Sequence, residues 1–508
     1  MPRNTSLLLL PADRPGLTRL IFFLLGCLTT MAFAPFGWSW LLPLALLPLL
    51  YVCLTLAPRD AAKHSGAFGL GLFLTGTYWI YISVVIYGNA PSWIAVILMI
   101  GFVLIMSLYF WLAGWLISRL SHGEHWLLLL VAPAAWVSVE WLRGWLFTGF
   151  PWLSLGYSQV DSLLAGWAPV IGVYGVSAML MLSVAAALVA LLTNGRERWV
   201  AVGIVLLPWI GGGILRTVEW TEAAGPPIRS TLIQGGVSQD KKWLVEQRGP
   251  TMNFYRDATR RATDSAIVVW PEVAIPSVTD RVEDYIKSLE TVSRHNAQTI
   301  LFGVLERDVE ETGDTHIYNS VILVDGQRRQ VYRKRHLVPF GEYFPVPARV
   351  REWMRMMSLP YSDLSAGADV QPLLVGPDDT RIAVAICYED AYNAEQLYAF
   401  PEAQLLVNVS NDAWFGDSIA PHQHLQIARM RSLESGRYAI RATNTGISAF
   451  IGPDGEILES GPQFEPVILT RDVEPRNGST PYARAGNWPI TGLCLLIVAG
   501  LWLRIRAS

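Results

Sequence analysis

Cys387 closes the strand-like run Arg381-Ile-Ala-Val-Ala-Ile-Cys387 and is followed by Tyr388, Glu389 and Asp390. It is the only cysteine in the long polar segment, since Cys27, Cys53 and Cys494 sit in hydrophobic runs. A lone thiol at a strand-to-loop junction, beside acidic residues, is a candidate nucleophile. The other reading is a small buried apolar side chain, which is what most free cysteines are. Trp270-Pro-Glu272 ends a second strand-like run, where a carboxylate is a candidate general base or simply a solvated loop glutamate. Tyr332-Arg-Lys334-Arg-His336 offers an ammonium able to neutralise an oxyanion, or else a surface basic cluster. The order Glu, Lys, Cys, each at a strand edge, is far more specific than any one member.

The elements that must position these residues lie between about 226 and 475. Expected strands are Ser230–Gln234, Ala266–Trp270, Thr299–Val304, Tyr318–Val324, Arg381–Ile386, Gln404–Val409 and Ile447–Ile451. Expected helices are 244–263, 281–295, 393–400 and 423–435. The mixture reads as one α/β or α+β domain with one large core. Pro453-Asp-Gly455 reads as a turn between two strands.

The rest of the chain is of another kind. Of 508 residues, 52% are hydrophobic and 21 are Trp, and the mean hydropathy is +0.33. That is too apolar for an ordinary soluble enzyme, and a net charge of −3 gives no sign of a nucleic-acid partner. A helix needs about 20 apolar residues to cross a bilayer. Seven spans are expected within 1–218, near 17–34, 38–57, 65–87, 92–119, 126–147, 164–193 and 199–215. An eighth is expected at 487–503. The chain therefore divides into membrane helices 1–7 (1–218), a polar domain (226–475) and membrane helix 8 (487–503).

Orientation follows from the short loops. Arg3, Arg14 and Arg19, then Arg59 and Lys63, Arg119, Arg196 and Arg198, and finally Arg504 and Arg506 mark one side. The intervening loops 35–38, 88–91 and 148–163 hold no Lys or Arg. Both termini are thus expected in the cytoplasm and the polar domain outside. An unpaired cysteine in an oxidising compartment is a liability unless it is used, which favours the catalytic reading of Cys387.

The Glu-Lys-Cys order over roughly 229–474, with Asn408-Val-Ser-Asn-Asp-Ala-Trp414-Phe415-Gly, resembles the nitrilase, or carbon–nitrogen hydrolase, superfamily. Finer motifs resemble bacterial apolipoprotein N-acyltransferases: Leu337-Val-Pro-Phe-Gly-Glu342, Trp414-Phe-Gly-Asp-Ser, Pro421-His-Gln-His424, Ala428 to Tyr438, and Leu142 to Trp152. The resemblance implies eight spans around an α-β-β-α sandwich. It implies a catalytic triad of Glu272, Lys334 and Cys387, in a bacterial inner membrane with the catalytic domain periplasmic.

It further implies transfer of an acyl chain from a phospholipid, typically phosphatidylethanolamine, to the α-amine of an apolipoprotein's diacylglyceryl-cysteine. A Cys387 thioester would divide the transfer into two steps. Glu272 would carry the proton. Lys334, with the backbone N–H after Cys387, would hold the oxyanion and favour the thiolate. Glu342 and Glu389 match supporting acidic positions, and Tyr388 and Trp243 match further functional ones. Trp152, Trp414, Phe415 and Met357 are candidates to meet lipid. No metal and no cofactor are expected, because His336, His422 and His424 form no zinc-type ligand cluster. Glu140 and Arg143, three apart, are expected to pair and fix the helix bundle. A membrane-tethered amidase or thioesterase would use the same triad. A non-catalytic lipid-binding module would not need all three residues.

Overall fold

The computed structural model describes residues 14–88, 90–309, 315–343, 349 and 363–507. Its chain falls into two compact units. The first is Met1–Glu219 with Asp417–Gln426 and Ala485–Ser508, and the second is Trp220–Gly416 with Ile427–Arg484.

The first unit is helical. Pro15–Thr29, Leu41–Thr55, Pro58–Gly76, Ser92–Ser121, Leu128–Arg143, Ala168–Leu192, Gly195–Leu215 and Trp488–Ala507 follow the eight expected spans. Among the described residues, five helical stretches are long and apolar enough to cross a membrane. A sixth span exists if Pro58–Gly76 and Trp79–Tyr87, bent by 48°, count as one. Ser92–Ser121 has 30 residues, about 45 Å at 1.5 Å per residue, and exceeds a hydrocarbon core. Leu41–Thr55, with 15 residues, and Leu128–Arg143, with 16, fall short of a full crossing. Arg59 and Lys63 lie in the first turns of Pro58–Gly76 rather than in a loop.

Small residues let these helices touch. A Cβ on Gly26 would sit 2.0 Å from the Phe68 carbonyl oxygen, so the first and third helices meet backbone to backbone there. Glu140 and Arg143 grip the same loop. Arg143 Nη1 donates to the carbonyls of Phe150 and Trp152, both at 2.6 Å, and Nη2 donates to Ser154 Oγ at 3.2 Å. Glu140 Oε1 accepts from the Leu155 amide at 2.8 Å. Irregular backbone in apolar surroundings needs such partners, so the two charges hold the 150–155 loop.

The second unit is a sandwich of two sheets. One runs Val467–Val473, Ile228–Gln234, Ile267–Val269, Thr299–Val309, Thr315–Val324, Arg329–Arg333, with Ile275–Val278 added to Thr299–Val309. The other runs Ile457–Ser460, Ala449–Ile451, Ala439–Thr443, Leu405–Ser410, Arg381–Ile386, Leu374–Val375.

Period-two alternation assigns each face. Ile267, Val269, Leu301 and Leu323 from one sheet pack with Ile382, Val384, Val407 and Ile440 from the other. Each such side chain contributes roughly 1.5–3 kcal/mol on burial. Val268, Ile300, Phe302 and Ile322 face the opposite way, onto Tyr255 and Ala258 of helix Val245–Arg261 and Ile286 and Leu289 of helix Glu283–Asn296. On the second sheet, Ala383, Leu406 and Ala439 turn toward Ala428 and Arg431 of helix Ala420–Ser435. The layers are helix, sheet, sheet, helix.

The helix expected at 393–400 is a short turn, Leu397–Ala399. Pro401 disfavours a helical Phe400. Gln396 Nε2 donates to Asp390 Oδ1 at 3.1 Å, which ties the segment back to the turn after Cys387. The Pro453-Asp-Gly455 turn forms as expected between Ala449–Ile451 and Ile457–Ser460, with Gly455 at φ 77°.

Candidate active site

Parallel pairing decides where the site lies. Leu405–Ser410 pairs parallel with both Arg381–Ile386 and Ala439–Thr443, so Cys387, Asn411 and Asn444 emerge at one sheet edge. In the other sheet Ile228–Gln234, Ile267–Val269 and Thr299–Val309 are parallel. Arg329–Arg333, two antiparallel steps further, points the same way. Glu272 follows the second of these strands and Lys334 follows the last. Carboxyl ends of parallel strands are where such sheets bind ligands.

Cys387 opens the turn Cys387–Ala391 with φ +54°, a conformation that costs a non-glycine residue energy and marks a functional elbow. Glu272 sits in a tight turn whose next residue, Val273, has φ +45°. Gly303 makes room for that turn: a Cβ there would lie 2.7 Å from the Glu272 Cα and 2.4 Å from the Val273 nitrogen.

Lys334 is 1% exposed and bonds two carboxylates, Glu342 Oε1 at 2.9 Å and Glu272 Oε1 at 3.5 Å. Asn319 Nδ2 donates to the same two oxygens, at 2.7 Å to Glu272 and 3.0 Å to Glu342. Glu342 Oε2 accepts from the Val338 amide at 2.8 Å. Burial alone would push the Lys334 ammonium down. The fields of Glu342, Glu272 and Cys387 outweigh it and hold its pKa above the usual lysine value.

The thiol behaves otherwise than expected. Burial, then the Glu272 carboxylate, pushes Cys387 well up, and Lys334 and a hydrogen bond with Ser410 only partly oppose them. Asp412 adds to the upward push. Lys334 therefore does not make a resting thiolate. The cation's pull is shared with two carboxylates, and burial and Glu272 favour the thiol form of Cys387.

Glu389 is fully buried and accepts four bonds. Oε1 takes the Arg335 and His336 amides at 2.7 and 3.2 Å, and Oε2 takes the Ile386 amide at 2.7 Å and Tyr332 Oη at 3.0 Å. It therefore joins the strand before Cys387 to the segment after Lys334. Burial raises its pKa, and those amides pull the other way.

On the helix-facing side, Arg441 is wholly buried. Nη1 donates to Asn408 Oδ1 at 2.5 Å and Asp390 Oδ2 at 3.4 Å, and Nη2 donates to Asp412 Oδ2 at 3.1 Å. Ser410 Oγ donates to Asp412 Oδ1 at 2.8 Å.

The structure thus brings Glu272, Lys334, Cys387, Glu342 and Glu389 together. Tyr388 is half-buried, with ring centroids 6.0 Å from His336 and 5.1 Å from Tyr392. Trp243 and Trp414 are exposed, at 49% and 41%, and Phe415 is half-buried. Trp152 is 1% exposed in the helical unit, its indole donating to Gln423 Oε1 at 2.7 Å, so it packs the interior there. Met357, with the rest of 354–361, lies outside the described residues.

Asn319, Arg441 and Lys242, whose Nζ donates to the Glu272 carbonyl oxygen at 3.2 Å, are residues of this cluster that sequence reasoning missed. Lys242 carried a signal, since it adjoins Trp243. Asn319 and Arg441 carried one only in being polar within strands of apolar residues.

Residues 231–482 match the carbon-nitrogen hydrolase family, so the sandwich and its cysteine elbow are a domain of the nitrilase superfamily. Residues 25–186 match the apolipoprotein N-acyltransferase N-terminal domain. Proteins carrying the name apolipoprotein N-acyltransferase align along nearly the whole chain. That of Methylococcus capsulatus is 43% identical over 95% of both chains. That of Azotobacter vinelandii is 41% identical over 97% of both. That of Pseudomonas syringae pv. tomato is 39% identical over 97% of this chain and 98% of its own. The chain belongs to the apolipoprotein N-acyltransferase family. Among solved structures, a mutant amidase of Nesterenkonia AN1 from the nitrilase superfamily is 16% identical, covering 52% of this chain and 96% of its own at a TM-score of 0.38.

Proposed function

We propose that this acyltransferase moves an acyl chain from a phospholipid, with phosphatidylethanolamine as the donor, to the N-terminal α-amine of diacylglyceryl-cysteine on apolipoproteins. The reaction passes through a thioester on Cys387. The observation that carries this reading is the buried thiol in a strained elbow, within the fields of Glu272 and Lys334.

Because the thiol is protonated at rest, its proton must leave as the sulfur attacks. Glu272 takes that proton while a bond forms from Sγ to the ester carbonyl carbon. Lys334 stabilises the oxyanion; losing one such donor typically costs on the order of a hundredfold or more. As the carbonyl re-forms, the carbon–oxygen bond to glycerol breaks and Glu272 returns the proton to the departing lysophospholipid. In the second half the α-amine attacks the thioester, Glu272 takes its proton, and the Cys387 thiolate leaves and recovers it. Glu342 and Glu389 act by holding Lys334 and the elbow. Trp243 and Tyr388 support the triad, and Trp414, Phe415 and Met357 meet the lipid substrates.

Intact-protein mass spectrometry after incubation with phosphatidylethanolamine should show one fatty-acyl mass on Cys387. Glu272→Gln and Lys334→Ala should lower the rate of its appearance by at least about a hundredfold. A normal acyl burst in either variant removes that residue's role. An acyl-enzyme that water discharges while a diacylglyceryl-peptide amine goes unmodified would make the protein a hydrolase instead.

The apolar helices fit a membrane protein. We propose a multi-pass inner-membrane enzyme with periplasmic catalytic domain and cytoplasmic termini, supported by the Lys and Arg distribution. A thiol reagent that cannot cross membranes should label an engineered cysteine at Asp454 in intact spheroplasts and miss one at Arg196. The reverse pattern inverts the topology.

A further inference from the structure

The site's charges do not close with the triad and Glu342 alone. Glu272 and Glu342 are two buried or half-buried carboxylates, and among the described residues Lys334 is the one ammonium bonded to both. Asp412 and Asp390 share Arg441, at 3.1 and 3.4 Å. Glu272, Glu342 and Lys334 together leave one negative charge beside a thiol that must lose a proton. Such a charge opposes ionisation of its neighbours.

A second ammonium is present. Lys242 ends the short helix Gln239–Lys242, is 4% exposed, and donates from Nζ to the Glu272 carbonyl oxygen at 3.2 Å. Burying an ammonium is costly, and the chain fixes the segment that carries this one. Asn444 Nδ2 donates to the Val237 carbonyl at 2.7 Å, and the Val237 amide donates back to Asn444 Oδ1 at 3.1 Å. Asn444 Nδ2 also donates to Asn411 Oδ1 at 3.0 Å, and Asn411 Nδ2 donates to Gln239 Oε1 at 2.9 Å. Asn411 and Asn444 follow the next two strands after that of Cys387 in the sheet order, so the same sheet edge that presents the thiol seats Lys242.

We propose that Lys242 is a positioning residue of this site, a second cation whose charge and hydrogen bond set the Glu272 carboxylate to accept the Cys387 proton. Its hydrogen bond to the Glu272 main chain sets where that carboxylate stands. The groups that face Glu272 are Lys334 and Asn319, Glu342 through both of them, Cys387, and Lys242. Only the two lysines among these are cationic. Burial, only partly opposed by the fields of Glu272 and Cys387, brings the Lys242 ammonium down to about 8. It therefore still carries charge at neutral pH.

The proposal rests on Glu272 being the base, so Glu272→Gln is run beside it. The full-length protein in detergent is followed by its acylation burst with p-nitrophenyl butyrate across pH. Lys242→Met removes both charge and hydrogen bond, Lys242→Gln removes the charge but retains a donor, and Lys242→Arg retains the charge.

In Lys242→Met and Lys242→Gln the acid limb should move up by about one pH unit, a tenfold loss at low pH that fades as pH rises. Lys242→Arg should keep the wild-type limb. A uniform loss with the limb unmoved would mean that Lys242 is only structural and would overturn the proposal. So would a wild-type profile in Lys242→Gln, which carries the decision if Lys242→Met does not fold. Normal acylation by Glu272→Gln would overturn both readings. An inactive Glu272→Gln with an unmoved limb in Lys242→Gln would overturn only this one.

Discussion

Replacing Cys387 by alanine should reduce acyl transfer to the uncatalysed background, a loss on the order of 10⁴-fold or more, without unfolding the protein. The side chain loses one sulfur from a buried elbow, and alanine keeps the Cβ that the φ of +54° already tolerates. The melting temperature should therefore stay within a few degrees. Cys387→Ser is the sharper variant. Its hydroxyl holds its proton far more tightly than a thiol, and a carboxylate such as Glu272 is too weak a base to remove it. Serine should retain the fold and almost none of the rate. The check is lipoprotein N-acylation at matched expression, with folding followed by thermal melt. Substantial transfer by Cys387→Ala would mean that another group receives the acyl chain.

The raised pKa of the thiol gives this variant set a companion in the unaltered protein. Alkylation of Cys387 by iodoacetamide should be slow at neutral pH and accelerate as pH rises, because burial and the Glu272 charge keep the sulfur protonated. A low-pKa cysteine of the helix-terminus kind would react fast and level off early.

What the sequence disclosed follows from which physical signals are local. Arg381–Ile386 is read residue for residue, because one unbroken apolar run buried on both faces can be little else. Arg329–Arg333, in the other sheet, went unread. It begins and ends in arginine and becomes a strand only by pairing with Thr315–Val324. The eight helical runs are legible from hydropathy, but Leu41–Thr55 and Leu128–Arg143 are shorter than a full span.

Within the cluster, Glu272, Lys334 and Cys387 stand out through their order along the chain, each at a strand edge, and the resemblance which that order carries. Asn319 does not, since an asparagine in a strand announces nothing until pairing sets it between two carboxylates. The sign of the Cys387 shift was also beyond reach. A lysine nearby argues for a thiolate, and only the folded protein shows that burial and Glu272 prevail. Glu140 and Arg143 are three apart and invite pairing, but the loop they hold comes into view only when the chain turns back at Phe150.

Arg441→Met should be among the most destabilising single changes in the second unit. Arg441 lies in Ala439–Thr443, on the face turned from the inter-sheet core, and its guanidinium reaches Asp390 and Asp412 where both are buried. Methionine approximates its length but supplies no charge. Two carboxylates then lose their cation in a place water does not reach. Removing one partner of a buried pair costs about 3–5 kcal/mol. The sign of the pH effect separates this cause from simple loss of packing. A carboxylate buried without its cation has a folded-state pKa above its unfolded one, so protonation relieves the variant. Its deficit against the parent protein should shrink as pH falls toward the carboxylate range and grow as pH rises. A packing defect would be indifferent to pH. Adding Asp412→Asn to Arg441→Met should recover part of the loss, since one stranded charge is gone. Asp412 also pushes Cys387 upward, so that double variant should react faster with iodoacetamide than Arg441→Met alone. If Arg441→Met melts with the parent at every pH, the two aspartates are neutralised by some other means and the arginine is not what supports the elbow.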